Sequence, residues 1–228
     1  MDNKERRIYV IGDIHGCVNT FKKMIQDSLH IERSDEIYLL GDYIDRGPNS
    51  KGVVDYILQM QDSGYSVHCL MGNHEKMLLD SLQSRENDIL WYYNGSKSTL
   101  DSFGVIDIRK IDNKYINFFK TLHYYFELED FILVHAGLNF DIDDPFKDKQ
   151  AMLWIRDERV DISKIENKRI VCGHTPVKLN DIRASLDRDK VLLDGGCVYY
   201  DRHNGLGNLC ALELNTMKLT AIENIDNY

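Results

Sequence analysis

Five short segments of this chain carry side chains able to hold metal ions: Gly12-Asp13-Ile14-His15-Gly16, Gly41-Asp42-Tyr43-Ile44-Asp45-Arg46-Gly47, Gly72-Asn73-His74-Glu75, His135-Ala136-Gly137 and Gly173-His174-Thr175. Each follows a short run of β-branched and large apolar residues, so each polar group falls where a strand gives way to a loop. Asp13, His15, Asp42, Asn73, His135 and His174 supply three oxygen donors and three imidazoles with no thiolate. That set suits hard or borderline cations, Mn foremost, with Fe or Zn as alternatives. Six ligands are too many for one catalytic ion that must keep open positions, but enough for two if one carboxylate bridges. Two metals about 3.5–4 Å apart can clamp the attacking and leaving oxygens of an in-line displacement. The implied chemistry is hydrolysis of phosphate esters.

The elements that must position these residues repeat three times. Strands are expected at Ile8 to Ile11, Glu36 to Leu40 and Ser66 to Leu70, with helical spacing at about 18–29, 50–62 and 75–82. Strand alternating with helix implies parallel βαβ units with right-handed crossovers. In an open α/β sheet ligands gather beyond the carboxyl ends of the strands, which is where all six donors sit. From Ser84 to Tyr125 the pattern shifts to aromatics and helical spacing, read as a helical insertion at about 84–125 within a single domain spanning 1–228. Short strands follow at 131–134, 169–171, 191–193, 209–214 and 219–223, expected to form a second, mixed or antiparallel sheet packed on the first.

Composition narrows the class. At 228 residues with 43% apolar and 29% charged side chains, the chain can bury one generous core. The formal charge of −9 argues against nucleic-acid binding through a broad basic surface. An anionic substrate stays compatible, because bound cations reverse the local sign. No apolar run reaches membrane-spanning length, and no signal peptide is visible before the first strand, so a cytoplasmic location is expected. Five cysteines without a C-x-x-C pair read as reduced, buried thiols, Cys17 and Cys172 lying beside ligand loops. Oligomeric state is not legible in the sequence.

The motifs resemble, in full and in order, the pattern of the phosphoprotein-phosphatase (PPP) family of calcineurin-like metallophosphoesterases. Leu193-Asp194-Gly195-Gly196 resembles that family's later Asp-x-Gly turn. The resemblance implies an α/β, four-layer fold of two packed mixed sheets flanked by helices. It implies that Asp13 and His15 hold the first of two divalent ions, Asp42 bridges, and Asn73, His135 and His174 hold the second. It implies that Arg46 and, from a shorter context, Arg156 grip the phosphate. His74 would protonate the leaving oxygen while Asp45 orients that imidazole.

Other residues carry plainer readings. Glu75 is read as a helix cap, Asp194 as a turn or a support, Tyr199 and Tyr200 as strand-face aromatics or pocket lining. His30, His68, His123 and His203 are read as surface or core residues. The resemblance is strongest to compact bacterial and phage members. It implies a serine/threonine protein phosphatase of broad or dual specificity, with a phosphorylated protein as substrate. The alternative is a hydrolase of diadenosine tetraphosphate or a related small nucleotide. A third reading is an inactive regulatory module that binds metal or phosphate.

Overall fold

The computed structural model describes residues 6–199 and 205–226. Strands β1 (Ile8–Ile11), β2 (Glu36–Leu39) and β3 (Ser66–Cys69) pair in parallel, Ile8 beside Glu36 and Glu36 beside Ser66. Helix α1 (Val18–Lys23), which widens into a π-turn over Met24–Ser28, and helix α2 (Ser50–Asp62) provide the crossovers. Helix α3 (Asn73–Ser81) starts two residues before the sequence expectation, which puts Asn73 and His74 in its first turn. Next come α4 (Arg85–Tyr93), α5 (Ser96–Phe103) and α6 (Asn113–Lys120).

The second sheet is built from β4 (Tyr125–Glu127), β5 (Phe131–Val134), β6 (Arg169–Cys172) and β7 (Lys190–Leu192), in that order. β4 is antiparallel to β5, and β5, β6 and β7 are parallel. Strand β4 was not expected, nor were helices α7 (Lys149–Trp154) and α8 (Leu179–Ser185) between the later strands.

The last two strands depart from expectation in a more consequential way. β8 (Asn208–Glu213) and β9 (Lys218–Glu223) join the first sheet rather than the second, giving the order β3-β2-β1-β8-β9. β8 pairs antiparallel with β1, Tyr9 facing Glu213. Both sheets are therefore mixed.

Alternation along the strands sorts the core into layers. Val10, Tyr38 and Leu70 of the first sheet's strands and their ends meet Leu133, Val171 and Val191 between the two sheets. On the outer face of the first sheet, Tyr9, Ile11, Ile37 and Leu39 pack on Phe21, Val53, Val54 and Ile57 of the helices. Ile132, Val134 and Ile170 pack on Met152 beyond the second sheet. Two sheets between helical layers bring the carboxyl ends of β1, β2, β3, β5 and β6 to one rim. Among the described residues no helix is long and apolar enough to cross a membrane.

Candidate metal centre

The loops at that rim are held in uncommon backbone conformations. His15, Asp42, Asp45, Arg46 and His174 have φ of 46°, 50°, 69°, 68° and 67°. Left-handed backbone at a non-glycine residue costs on the order of 1–3 kcal/mol and persists only when its surroundings over-determine it. Glu75 supplies part of that constraint. One of its carboxylate oxygens accepts from Tyr43 N–H (2.8 Å); the other accepts from Asp42 N–H (2.9 Å) and Gly72 N–H (3.1 Å). Read from sequence as a helix cap, Glu75 also fastens the Asp42 loop to the start of α3. The loops approach so closely that a Cβ on Gly72 would lie 2.2 Å from Asp42 Oδ1, and one on Gly173 would lie 2.1 Å from Asp13 Oδ1. Only glycine fits at either position.

Asp42 is the centre of the arrangement. Its Oδ2 lies 3.5 Å from His15 Nε2 and its Oδ1 3.5 Å from His135 Nε2. The two groups His15/Asp42/His74 and Asp42/His135/His174 each place potential ligand atoms within 4.8 Å of one another, all buried, with Asp42 common to both. Asn73 Oδ1 lies 2.9 Å from His135 Nε2 and 3.0 Å from His174 Nδ1. Asp13 stands slightly apart, its carboxylate accepting the His174 backbone N–H at 3.0 and 3.2 Å.

Hydrogen bonds fix what these atoms offer. His15 Nδ1 lies 2.8 Å from the Ile44 carbonyl and His135 Nδ1 2.9 Å from the Leu40 carbonyl. Each Nδ1 must therefore donate, which turns Nε2 of each ring toward Asp42, His15 Nε2 also accepting from Arg46 at 2.7 Å. Burial holds the His15 imidazole well below its ordinary pKa, lowers that of His135 and brings that of His174 down to about 3. The Nε2 atoms of His15 and His135 face the Asp42 carboxylate, and His135 Nε2 also faces the Asn73 amide oxygen. Acceptor atoms gathered this closely around one carboxylate favour a cation, and a carbonyl-anchored imidazole is the usual form of a metal ligand. The donor set thus fits divalent cations.

The remaining predicted residues surround this cluster. His74 is fully buried, with Nδ1 2.6 Å from Asp45 Oδ2 and Nε2 without a hydrogen-bond partner among the described residues, 3.9 Å from Asp42 Oδ2. Half-buried Arg46 reaches His15 Nε2 at 2.7 Å, and its guanidinium lies 5.8 Å from the Tyr199 ring centre. Arg156 is exposed just beyond α7, near enough for its charge to bear on His174. Tyr199 is on the loop after β7 rather than on a strand face; Tyr200 and His203 lie outside the described residues. His68 stacks on Tyr38, and His123 packs against Phe126, both away from the cluster. All five cysteines are buried and unpaired by disulfide.

Sequence reading missed two groups that touch the site. Trp91 Nε1 donates to Asp45 Oδ2 (2.7 Å), and Thr99 Oγ1 donates to Asp45 Oδ1 (2.6 Å). The available signal was the aromatic run 91–93, whose inward member no local pattern could identify.

Negative charge is crowded here. Burial pushes the Asp13 carboxyl well above its usual range, with Asp194 and then Asp42 adding to the effect. Burial raises Glu75 likewise and takes Asp194 up to about 7. For Asp42 burial also opposes the charge, but His135, His74, His15 and His174 together outweigh it and the pKa falls.

A carboxyl whose pKa is raised by folding stabilises the fold while protonated, and that contribution is lost as pH rises through the folded value. Chelator-treated Asp194→Asn should therefore gain on chelator-treated wild type as pH rises from about 4 to 7, and level off above that. The depressed imidazoles work with the opposite sign but are common to both proteins. Denaturant unfolding at pH 5, 6, 7 and 8 measures the difference; a constant gap would show that Asp194 is not the titrating group.

The calcineurin-like phosphoesterase family model matches residues 6–213, and the chain belongs to that family. Within it, the chain is 34% identical over 90 residues to serine/threonine-protein phosphatase 1 of Salmonella typhimurium, covering 40% of this chain and 39% of that protein. It is 29% identical over 145 residues to the symmetrical bis(5'-nucleosyl)-tetraphosphatase of Buchnera aphidicola subsp. Schizaphis graminum, covering 60% and 47%. In both cases the match spans less than half of the relative's length.

Two solved structures share the fold. One is a protein provisionally assigned as a diadenosine tetraphosphatase, with TM-score 0.64, 18% identity and coverage of 100% of this chain and 97% of that one. The other is a protein serine/threonine phosphatase from Saccharomyces cerevisiae, with TM-score 0.66, 14% identity and coverage of 99% and 82%.

Proposed function

We propose that this chain hydrolyses phosphate monoesters as a serine/threonine protein phosphatase of broad specificity, using two divalent ions, Mn first among them. The observation that carries the reading is Asp42 set between two imidazole groups, with the His74–Asp45 pair against it. Asp13, His15 and Asp42 would hold one ion, and Asp42, Asn73, His135 and His174 the other. When bound, the ions would neutralise phosphate oxygens and acidify a water for attack at phosphorus.

The chain's own side chains do the rest. Arg46 and Arg156 bind the phosphate oxygens, the guanidinium fork matching the tetrahedral anion. The buried Nε2 of His74 has no hydrogen-bond partner among the described residues and is free to give its proton to the leaving oxygen. Asp45 takes the Nδ1 proton into a hydrogen bond and stabilises the charged imidazole before that transfer.

A protein substrate is favoured by the helix beside the site. Helix α4 exposes Ile89, Leu90, Tyr92 and Tyr93, while its buried Trp91 reaches Asp45. Apolar side chains next to a polar site suit a peptide segment flanking a phosphorylated residue. The longer match to a bis(5'-nucleosyl)-tetraphosphatase favours the second reading, hydrolysis of a dinucleoside polyphosphate. Phosphate release by Mn-loaded protein from a phosphoserine/phosphothreonine peptide and from diadenosine tetraphosphate, at equal concentrations, separates the two. Preference for the peptide is expected; preference for the dinucleotide, with nucleotide products, would replace the first reading with the second. Turnover of neither by metal-loaded protein would point to a binding module.

A further inference from the structure

We propose that Trp91 and Thr99 are positioning residues for leaving-group protonation: they hold Asp45 in the one orientation that presents a carboxylate oxygen to His74 Nδ1. The inference rests on the acid role given above to His74. Asp45 is fully buried and, as a carboxylate, can only accept hydrogen bonds. Its Oδ2 is shared by His74 Nδ1 (2.6 Å) and Trp91 Nε1 (2.7 Å), and its Oδ1 takes the Thr99 hydroxyl (2.6 Å).

That hydroxyl is itself fixed. Thr99 Oγ1 accepts the Asp45 backbone N–H at 2.9 Å and lies 3.0 Å from Ser50 Oγ, which accepts the same N–H at 3.1 Å. Donors on both oxygens, and acceptors for the backbone N–H, leave the carboxylate plane no freedom to turn. Asp45 needs that restraint, because its own backbone is left-handed.

The helical segment is built around this contact. Trp91 is the one buried residue of α4, its neighbours Leu90 and Tyr92 being more than half exposed. Packing alone asks for an apolar side chain here. An indole adds a donor, and that donor is spent on Asp45. Helices α4 and α5 thus each send one side chain to the same carboxylate.

The test uses full-length, Mn-loaded protein and two esters, p-nitrophenyl phosphate and an alkyl phosphate whose leaving group needs a proton. Trp91→Phe and Thr99→Val should each lower kcat on the alkyl ester about tenfold, the scale of one hydrogen bond to a charged group. On p-nitrophenyl phosphate the loss should stay under about threefold, because that leaving group departs without protonation. KM and metal content should not change, and Thr99→Ser, which keeps the hydroxyl, should retain the wild-type ratio of rates. In a His74→Asn background neither variant should cause a further loss.

Equal losses on the two esters, or full further losses in the His74→Asn background, would overturn the positioning role. Thr99→Val is nearly isosteric and tests the same claim should Trp91→Phe fold poorly. A wild-type protein that turns over both esters, but loses equally on each when His74 is replaced, would remove the acid assignment and the positioning role together.

Discussion

Asp42→Asn protein should purify with neither metal ion and with turnover down by about a thousandfold. The substitution is nearly isosteric, and the Asn carbonyl can still accept the His74 backbone N–H that Asp42 Oδ1 accepts at 3.1 Å. The new amide N–H can also satisfy one of the two imidazole lone pairs at 3.5 Å. The fold should therefore survive, with circular dichroism and melting close to those of metal-free wild type. The lost property is the charge shared by both ligand groups. Elemental analysis after dialysis, alongside turnover of p-nitrophenyl phosphate, tests this. Two ions per chain and near-normal turnover would remove Asp42 from the bridging position.

His74→Asn should behave differently. His74 belongs to neither ligand set given above, and the backbone N–H that it donates to Asp42 is kept, so both ions should remain. The loss should be on the order of 100- to 1,000-fold for an alkyl phosphate, the usual contribution of a positioned acid, and far smaller for p-nitrophenyl phosphate. KM should barely move, because a group that acts on the departing oxygen works in the transition state rather than in the bound substrate. A plot of log kcat against leaving-group pKa should steepen relative to wild type. Parallel plots would assign the proton to another donor. The two variants therefore separate by metal content: the first is inactive because the site is empty, the second although the site is full.

Much of this was legible in the sequence because strand ends announce themselves. A short β-branched run followed by glycine and a ligand residue identifies both an element and its rim, and β1, β2, β3, β5 and β6 all appear near their expected positions. The pattern does not record which sheet a strand will join. β8 alternates as any half-covered strand does, and its pairing with β1 depends on packing across the whole molecule.

Supporting contacts were hidden for a related reason. Glu75 looks like a helix cap locally, and caps Gly72 as expected; its second task needs Asp42 and Tyr43 brought beside it by a parallel strand. Trp91 and Thr99 sit 46 and 54 residues from Asp45, with no spacing to link them. Asp13 offers the reverse case, a ligand type at the right strand end whose oxygens take the His174 backbone amide.

The late return of β8 to the edge of β1 has a consequence for how the chain is made. Gly12, which opens the first ligand loop, donates its backbone N–H to Cys210, and the Asp226 carboxylate accepts from the backbone of Asn19 and Thr20 at the start of α1. Helix α1 has no side-chain cap of its own at Cys17, so a residue 206 positions away from Thr20 does that work. A nascent chain emerging from the ribosome can form its first three strands and the contacts of the Asp13–Gly16 loop to Asp42 and Tyr43 early, but the Gly12 N–H and the start of α1 wait for Cys210 and Asp226. Contacts of such high sequence separation slow folding and leave an unpaired strand edge exposed in the meantime. Closure of the first sheet beside Gly12 is thereby tied to synthesis past β8, and a chain stopped before Asn208 would lack the strand that borders the first ligand loop.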